Sequence, residues 1–553
     1  MSRFLKEEKR KQERGITLIA LITTIIVLLI LAGISIGAIT GSNGIIGQAQ
    51  SAKEETEISQ EREIIDISTV EAMGKNNRGN LEEEEFQTAL SNHTNGKAEV
   101  SDIGEEFEVF FEESGRYYSV DKDGNILDYV VGVTDQYPGD ITKKEDGTVL
   151  DGSIDKPYEI NCIEDLVAFS NTVNGTGKVF VNGKLTSVTK SNFSGKYIIL
   201  TRNLNFKSNA SYVDSQRTDF GDINGNEGDE NALITEMTTG TGFESIGINA
   251  YDTSFQGIFD GKNNVIENIF QNKASNLGLF GGASDAEIKN ITITGNINST
   301  NYSVGGICAT ARNTKLTNCH NKANITEERV VSGNNASIGG IIGATSNNCE
   351  IINCSNTGDV KGDFQTGGIA GNIDGSIINC YNLGNITGGR GANYGAVGGI
   401  AGINSASSIY NCFNIGEITS NNTGNNVYAS AGGILGSSWQ TGTNCKIINA
   451  YNLGKINNAT RGYGAIVGGY WYGNIANTAT LINTYYKEDG YLLGYGNFSS
   501  AQGVEKKDQE YMYSENLVTD LNNYIENNTD EIDTSQWKKW MLGENKYPVF
   551  VQN

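Results

Sequence analysis

Between about Tyr302 and Tyr485 the apolar positions fall in short runs rich in Ile, Val and Thr, separated by Gly and Asn and free of Pro. Runs of this length with such punctuation predict short strands and tight corners rather than helices. The pattern recurs six times. Gly305-Gly306-Ile307, Gly339-Gly340-Ile341, Gly367-Gly368-Ile369, Gly398-Gly399-Ile400, Gly432-Gly433-Ile434 and Gly468-Gly469-Tyr470 each open a unit. An apolar-Asn step follows within each, at Asn318, Asn353, Asn379, Asn411, Asn449 and Asn483, and most units then carry a second Asn and a Gly. A period of roughly 26 to 38 residues marks a stacked architecture, because one unit cannot bury its own apolar face while neighbours can. The expected fold is mainly β: a right-handed parallel β-helix with coils about 4.8 Å apart. The recurring Asn suits a corner that needs positive φ, and the same residues can form a ladder of side-chain amides; both readings stand.

Before the repeats the pattern changes several times. Residues 1–15 are short and charged and end in Gly15; Ile16 to Ile39 then run without a charge, long enough to span a bilayer as a helix. The basic leader would stay cytoplasmic and the body would be exported. Residues 45–73 continue as a polar helix, so 16–73 are read as one long, kinked helical segment. Residues 74–133 are read as a small antiparallel β headpiece: Leu81 to Leu90 suggests a short helix, and alternation through Phe107, Val109, Phe111, Tyr118 and Val120, with turns at Gly115 and Asp123-Gly124-Asn125, suggests hairpins. Residues 134–156 read as a linker and 157–194 as a cap, with Ile163 to Phe169 helical. The β-helix is assigned to 195–486 and a C-terminal cap to 487–553, its apolar Trp537, Trp540 and Phe550 plugging the far end of the solenoid.

Composition narrows the function. The chain of 553 residues holds 69 Gly and only 3 Pro, which suits a solenoid. A net charge of −24 argues against a nucleic-acid partner. Only two histidines, His93 and His320, occur, far apart in sequence, which disfavours His-based metal sites and Ser-His-Asp triads. Of eight cysteines, Cys319, Cys354, Cys380 and Cys412 share one repeat position. In-register neighbours on parallel strands sit about 4.8 Å apart, beyond the usual Cβ separation for a bridge, so these are expected as free thiols in the core.

Two stretches resemble known families. Residues 397–419, VGGIAGINSASSIYNCFNIGEIT, resemble the GLUG repeat of bacterial surface proteins, and 243–269 resemble that family's first coils. This implies a β-helix on the cell surface, often in adhesins and sometimes appended to surface peptidases. The charged leader ending in Gly15, followed by Ile16-Thr17-Leu18-Ile19, resembles a type IV prepilin. That implies cleavage by a prepilin peptidase between Gly15 and Ile16, N-methylation of Ile16, and assembly with other pilin subunits through the N-terminal helix. Ala20 departs from the family's usual Glu, which pairs with a neighbouring subunit's terminal amine.

For chemistry there is little material. Asp359, Asp363 and Asp374 form a close acidic group near a corner, read as solvated turn residues; Asp121 to Asn125 and Asp222 to Glu230 carry oxygen ligands for Ca²⁺ but read better as a hairpin turn and a loop. No catalytic residue, metal site or cofactor is assigned, and the chain is expected not to be an enzyme. Trp439, Tyr463, Tyr470, Trp471 and Tyr472 cluster in the last coils, with Tyr394 and Tyr428 before them, and are the candidate ligand-binding residues. The sequence thus predicts a pilin-like subunit, membrane-anchored by one helix in a Gram-positive bacterium, displaying a β-helical binding domain for a glycan or protein. The alternatives are a structural spacer and a polysaccharide-active enzyme.

Overall fold

The computed structural model describes residues 60–74, 81–102, 106–111, 116–131, 140–143, 148–181, 184–206, 239–300, 302–328, 336–389, 395–405, 407–421, 430–438, 446–458, 463–470, 480–487, 503–528 and 532–551. The prepilin-like leader and the apolar run 16–39 lie outside them. Among the described residues no helix is long and apolar enough to cross a membrane. The chain divides into two compact units, Met1–Val133 and Thr134–Asn553.

In the first unit, a helix over residues 60–74 (α1) and a second, Glu83–Thr94 (α2), accompany a four-stranded antiparallel meander, Ala98–Asp102, Glu106–Phe111, Arg116–Asp121 and Ile126–Val131. One helix face buries Ile65 and Ala72 against Phe86, Leu90, Phe107, Val109 and Tyr118. The Tyr118 hydroxyl donates to the Glu61 carboxylate at 2.6 Å, which satisfies an otherwise orphaned phenol in this core. The Asp121 loop is closed on itself. Its carboxylate accepts the N–H groups of Asp123 and Asn125 and the Asn125 side-chain amide. The Asn125 amide leads the effects that hold the Asp121 pKa below the usual carboxylate value.

The second unit is a parallel β-solenoid. Its coils share a long parallel sheet together with a seven-stranded and a six-stranded one, so each coil has three faces meeting at corners. Register is kept from coil to coil: Leu316 pairs with Ile351, Ile351 with Ile377, Ile377 with Ile409, Ile409 with Ile447 and Ile447 with Leu481. All six are buried and point into one continuous core. At the N-terminal end, Tyr158–Ile160 adds a strand beside Tyr197–Leu200, and helix Ile163–Asn174 (α3) lays Leu166, Phe169 and Val173 on the first coil. The seven described cysteines are all free and buried. Cys380 Sγ accepts the Cys354 N–H and Cys412 Sγ the Cys380 N–H, and burial pushes the Cys319 and Cys380 thiols well above their ordinary pKa.

The glycine pairs have a specific cause. A Cβ on Gly340, Gly368 or Gly399 would fall under 3.0 Å from a glycine carbonyl of the next coil and from the side chain of Asn356, Asn382 or Asn414 respectively. The second Asn of each unit therefore packs edge-on against the second Gly of the opening pair, and neither position tolerates a larger neighbour.

The outer face of the long sheet

Two rows of asparagine run along the solenoid. The inner row is Asn321, Asn356, Asn382, Asn414 and Asn452, all buried. From Asn321 to Asn414 each Nδ2 donates to the Oδ1 of the next coil's Asn at 2.7–2.8 Å, and all five donate to a backbone carbonyl two residues on, as from Asn382 to Gly384. The outer row is the Asn recognised from the repeat. Asn379 donates to Asn353, Asn411 to Asn379, Asn449 to Asn411 and Asn483 to Asn449, at 2.6–2.9 Å. All six outer residues from Asn318 to Asn483 have φ of 52° to 57°, so the corner and ladder readings are both true of the stretch from Asn353 to Asn483.

Two positions past each outer Asn stands an outward-facing residue: His320, Ser355, Tyr381, Phe413, Tyr451 and Tyr485 in successive coils. Tyr381, Phe413 and Tyr451 stack with centroids 5.0 and 5.1 Å apart. The C-terminal residues lie here, which corrects the expectation that they plug the end. Among the described C-terminal residues, the strand Val504–Lys507 is the one that pairs with the last coil. After a short helical turn, Gln509–Met512 (α4), helix Glu515–Asn527 (α5) and the segment from Asp533 to Val551 lie along the side. Trp540 and Phe550 pack on Phe413, Trp537 stacks on Tyr410, and the Tyr451 hydroxyl donates to Pro548 O. The outer amides hold this strap: Asn379 and Asn411 donate to Gln536 O and Lys538 O, while Lys538 N–H and Trp540 Nε1–H donate to Asn379 and Asn411. The strap buries Phe413 and Tyr451 together with its own Trp540 and Phe550, and taking these rings out of water favours its place on the side.

In the earlier coils the outer row changes character. Asn318 Nδ2 donates to Asn263 and Asn290 at 3.0 Å, and Asn290 Nδ2 to Asp260. His320 Nε2 lies 3.1 Å from Asn318 Oδ1, and Nδ1 lies 2.7 Å from Ser355 Oγ. Both Asn318 amide protons are committed elsewhere, so Nε2–H is the donor and Nδ1 accepts the Ser355 proton. Burial, reinforced by Lys538 and Lys322, pushes the His320 pKa below the ordinary histidine value, although Cys354 acts the other way. This juxtaposition was missed in the sequence. The signal was present in register: Asn318-Cys319-His320 aligns with Asn353-Cys354-Ser355 one coil later.

The sequence-derived candidates fare differently. Gly15, Ile16, Trp439, Trp471 and Tyr472 lie outside the described residues, as do Tyr394, Tyr428 and 222–230. Tyr470 ends the strand Val467–Tyr470. Tyr463 is half-buried and packs against the main core. The three aspartates are put to separate uses: Asp359 accepts the Asn385 N–H, Asp374 accepts the Asn347 N–H, and buried Asp363 donates its N–H to the buried Glu327 carboxylate. Among the described residues no group of three or more His, Cys, Asp or Glu is placed to hold a metal ion.

Residues 334–361 match the GLUG motif. No curated protein matches the chain. Among solved structures the chain is similar to a putative immunoglobulin A1 protease from Bacteroides ovatus, at 19% identity and a TM-score of 0.41, covering 73% of this chain and 94% of that one. It is also similar to a structure titled IgA1 Protease, at 17% identity and a TM-score of 0.37, covering 60% of this chain and 25% of that one. The expectation that the chain is not an enzyme is withdrawn, because both similar structures are named as proteases. At these TM-scores the likeness assigns no activity to this chain.

Proposed function

We propose that the protein is a bacterial cell-surface β-helix that presents its solenoid as a binding scaffold, carried on a pilin-like N-terminal segment. The observation that supports this most is the GLUG motif within an in-register solenoid whose core is continuous from α3 to the last coils. Such a stack holds its surface rigid without disulfides among the described cysteines. In this reading residues 16–39 hold the chain in the membrane, a prepilin peptidase cuts after Gly15, and other pilin subunits pack on the same helix. The ligand is a glycan or a protein, met by Trp439, Tyr463, Tyr470, Trp471 and Tyr472.

The N-terminal part is tested by the intact mass of native protein. A chain starting at methylated Ile16, and an uncut chain in Gly15→Val, is the expected result; native protein retaining Ser2 removes the pilin segment from the reading. The binding part is tested on glycan and protein arrays. Trp439→Ala and Trp471→Ala should lose binding with unchanged circular dichroism. Equal binding by both variants rules out the last-coil site.

A further inference from the structure

We propose that Ser355, His320 and Asn318 form a nucleophile, base and orienting group for the hydrolysis of small acyl esters. Three side chains from two adjacent coils make the arrangement. Ser355 Oγ is 2.7 Å from His320 Nδ1, within the reach that proton transfer needs. The far ring nitrogen is fixed at 3.1 Å by Asn318, whose amide is itself tied to Asn263 and Asn290. The tautomer this dictates leaves Nδ1 with its lone pair toward the serine, as a general base must be. The ring is neutral near neutral pH for the same structural reasons, being partly buried with Lys322 two residues further along the chain and Lys538 on the strap; Cys354 of the next coil and Ser355 complete its surroundings.

The step balances with water as co-reactant. Ser355 Oγ bonds to the ester carbonyl carbon while its proton passes to Nδ1. The bond to the alcohol oxygen breaks as Nδ1–H returns that proton to the leaving alcohol. Water then attacks the acyl-serine, gives a proton to Nδ1, and the acid departs as Ser355 regains the proton. Ser355 is only 3% exposed, so the substrate class is a compact ester rather than a polymer.

The experiment treats the full chain with diisopropyl fluorophosphate and locates the adduct by peptide mass spectrometry. The expected adduct is on Ser355. His320→Asn should slow its formation at least about a hundredfold, the contribution typical of a positioned base. His93→Asn should leave the rate unchanged. In the unmutated chain the labelling rate should fall as pH drops through a value below the ordinary histidine pKa, a readout that needs no variant to fold. No adduct on Ser355, an adduct formed equally fast in folded His320→Asn, or a flat pH profile overturns the proposal.

Discussion

The two asparagine rows use the same side chain at the same spacing and do different jobs. The inner row spends every amide inside the solenoid, on the next coil and on its own corner carbonyl. The outer row, at positive φ, keeps amide capacity facing outward, and at Asn379 and Asn411 that capacity is taken by the strap. The difference follows from what lies beside each row. A glycine with no room for a Cβ closes the inner row, whereas the outer row borders an aromatic column that needs a cover. Amide ladders thus hold the coils together in one place and recruit a distant segment in the other.

The sharpest way to break the comparison is Gly368→Ala. Its Cβ would sit under 3.0 Å from Gly399 O and Asn382 Cγ, so the inner contact itself must move. A loss of more than about 3 kcal/mol in denaturant unfolding is expected. Asn382→Leu comes next. It orphans an Asn356 proton, the Gly384 carbonyl and Asn414 Oδ1 in a buried row, and should cost about 3 kcal/mol in a single cooperative transition. Asn411→Gly preserves the positive φ while removing the outer amide. It should cost about 2 kcal/mol, and the Trp537 and Trp540 fluorescence should shift before the main unfolding transition as the strap leaves. If Asn411→Gly instead unfolds in one step at the same cost as Asn382→Leu, the two rows are equivalent and the distinction fails.

The smallest effect is a pH dependence at the head of the outer row. The His320 pKa is lowered by burial in the folded chain, so the unfolded chain takes up the proton first as pH falls. Stability should be complete above about pH 6.5, the ordinary histidine value, and decline as pH falls through the folded-state value. His320→Gln should flatten this part of the stability profile measured by urea titration, while His93→Gln should not. A decline of the same size in both variants would assign the effect to carboxylates.

Much of this was legible in the residues. The glycine pairs, the apolar-Asn step and the shared cysteine position together specified a stacked parallel solenoid, because each reflects a contact repeated every coil. The inner row was harder to see: Asn382-Leu383-Gly384 has the look of a turn, and only the structure reveals that its amide is buried. The strap was not legible at all. Asn379 and Gln536 are 157 residues apart, and no local pattern announces that a tail rich in Trp will lie along the side rather than over the end. His320 was set aside because the other histidine, His93, is far from it in sequence, yet its partner is the residue at the matching position of the next repeat.

The two rows also run in opposite senses. Inner amides donate toward later coils and outer amides toward earlier ones. Aligned amide dipoles in a single row would add up along the axis and leave growing partial charges at the two ends, as they do in a helix. Here each added repeat contributes one dipole of each direction, and the pair largely cancels. Length can therefore change by whole repeats without an accumulating electrostatic penalty, which makes this solenoid a rod that duplication or loss of repeats can resize.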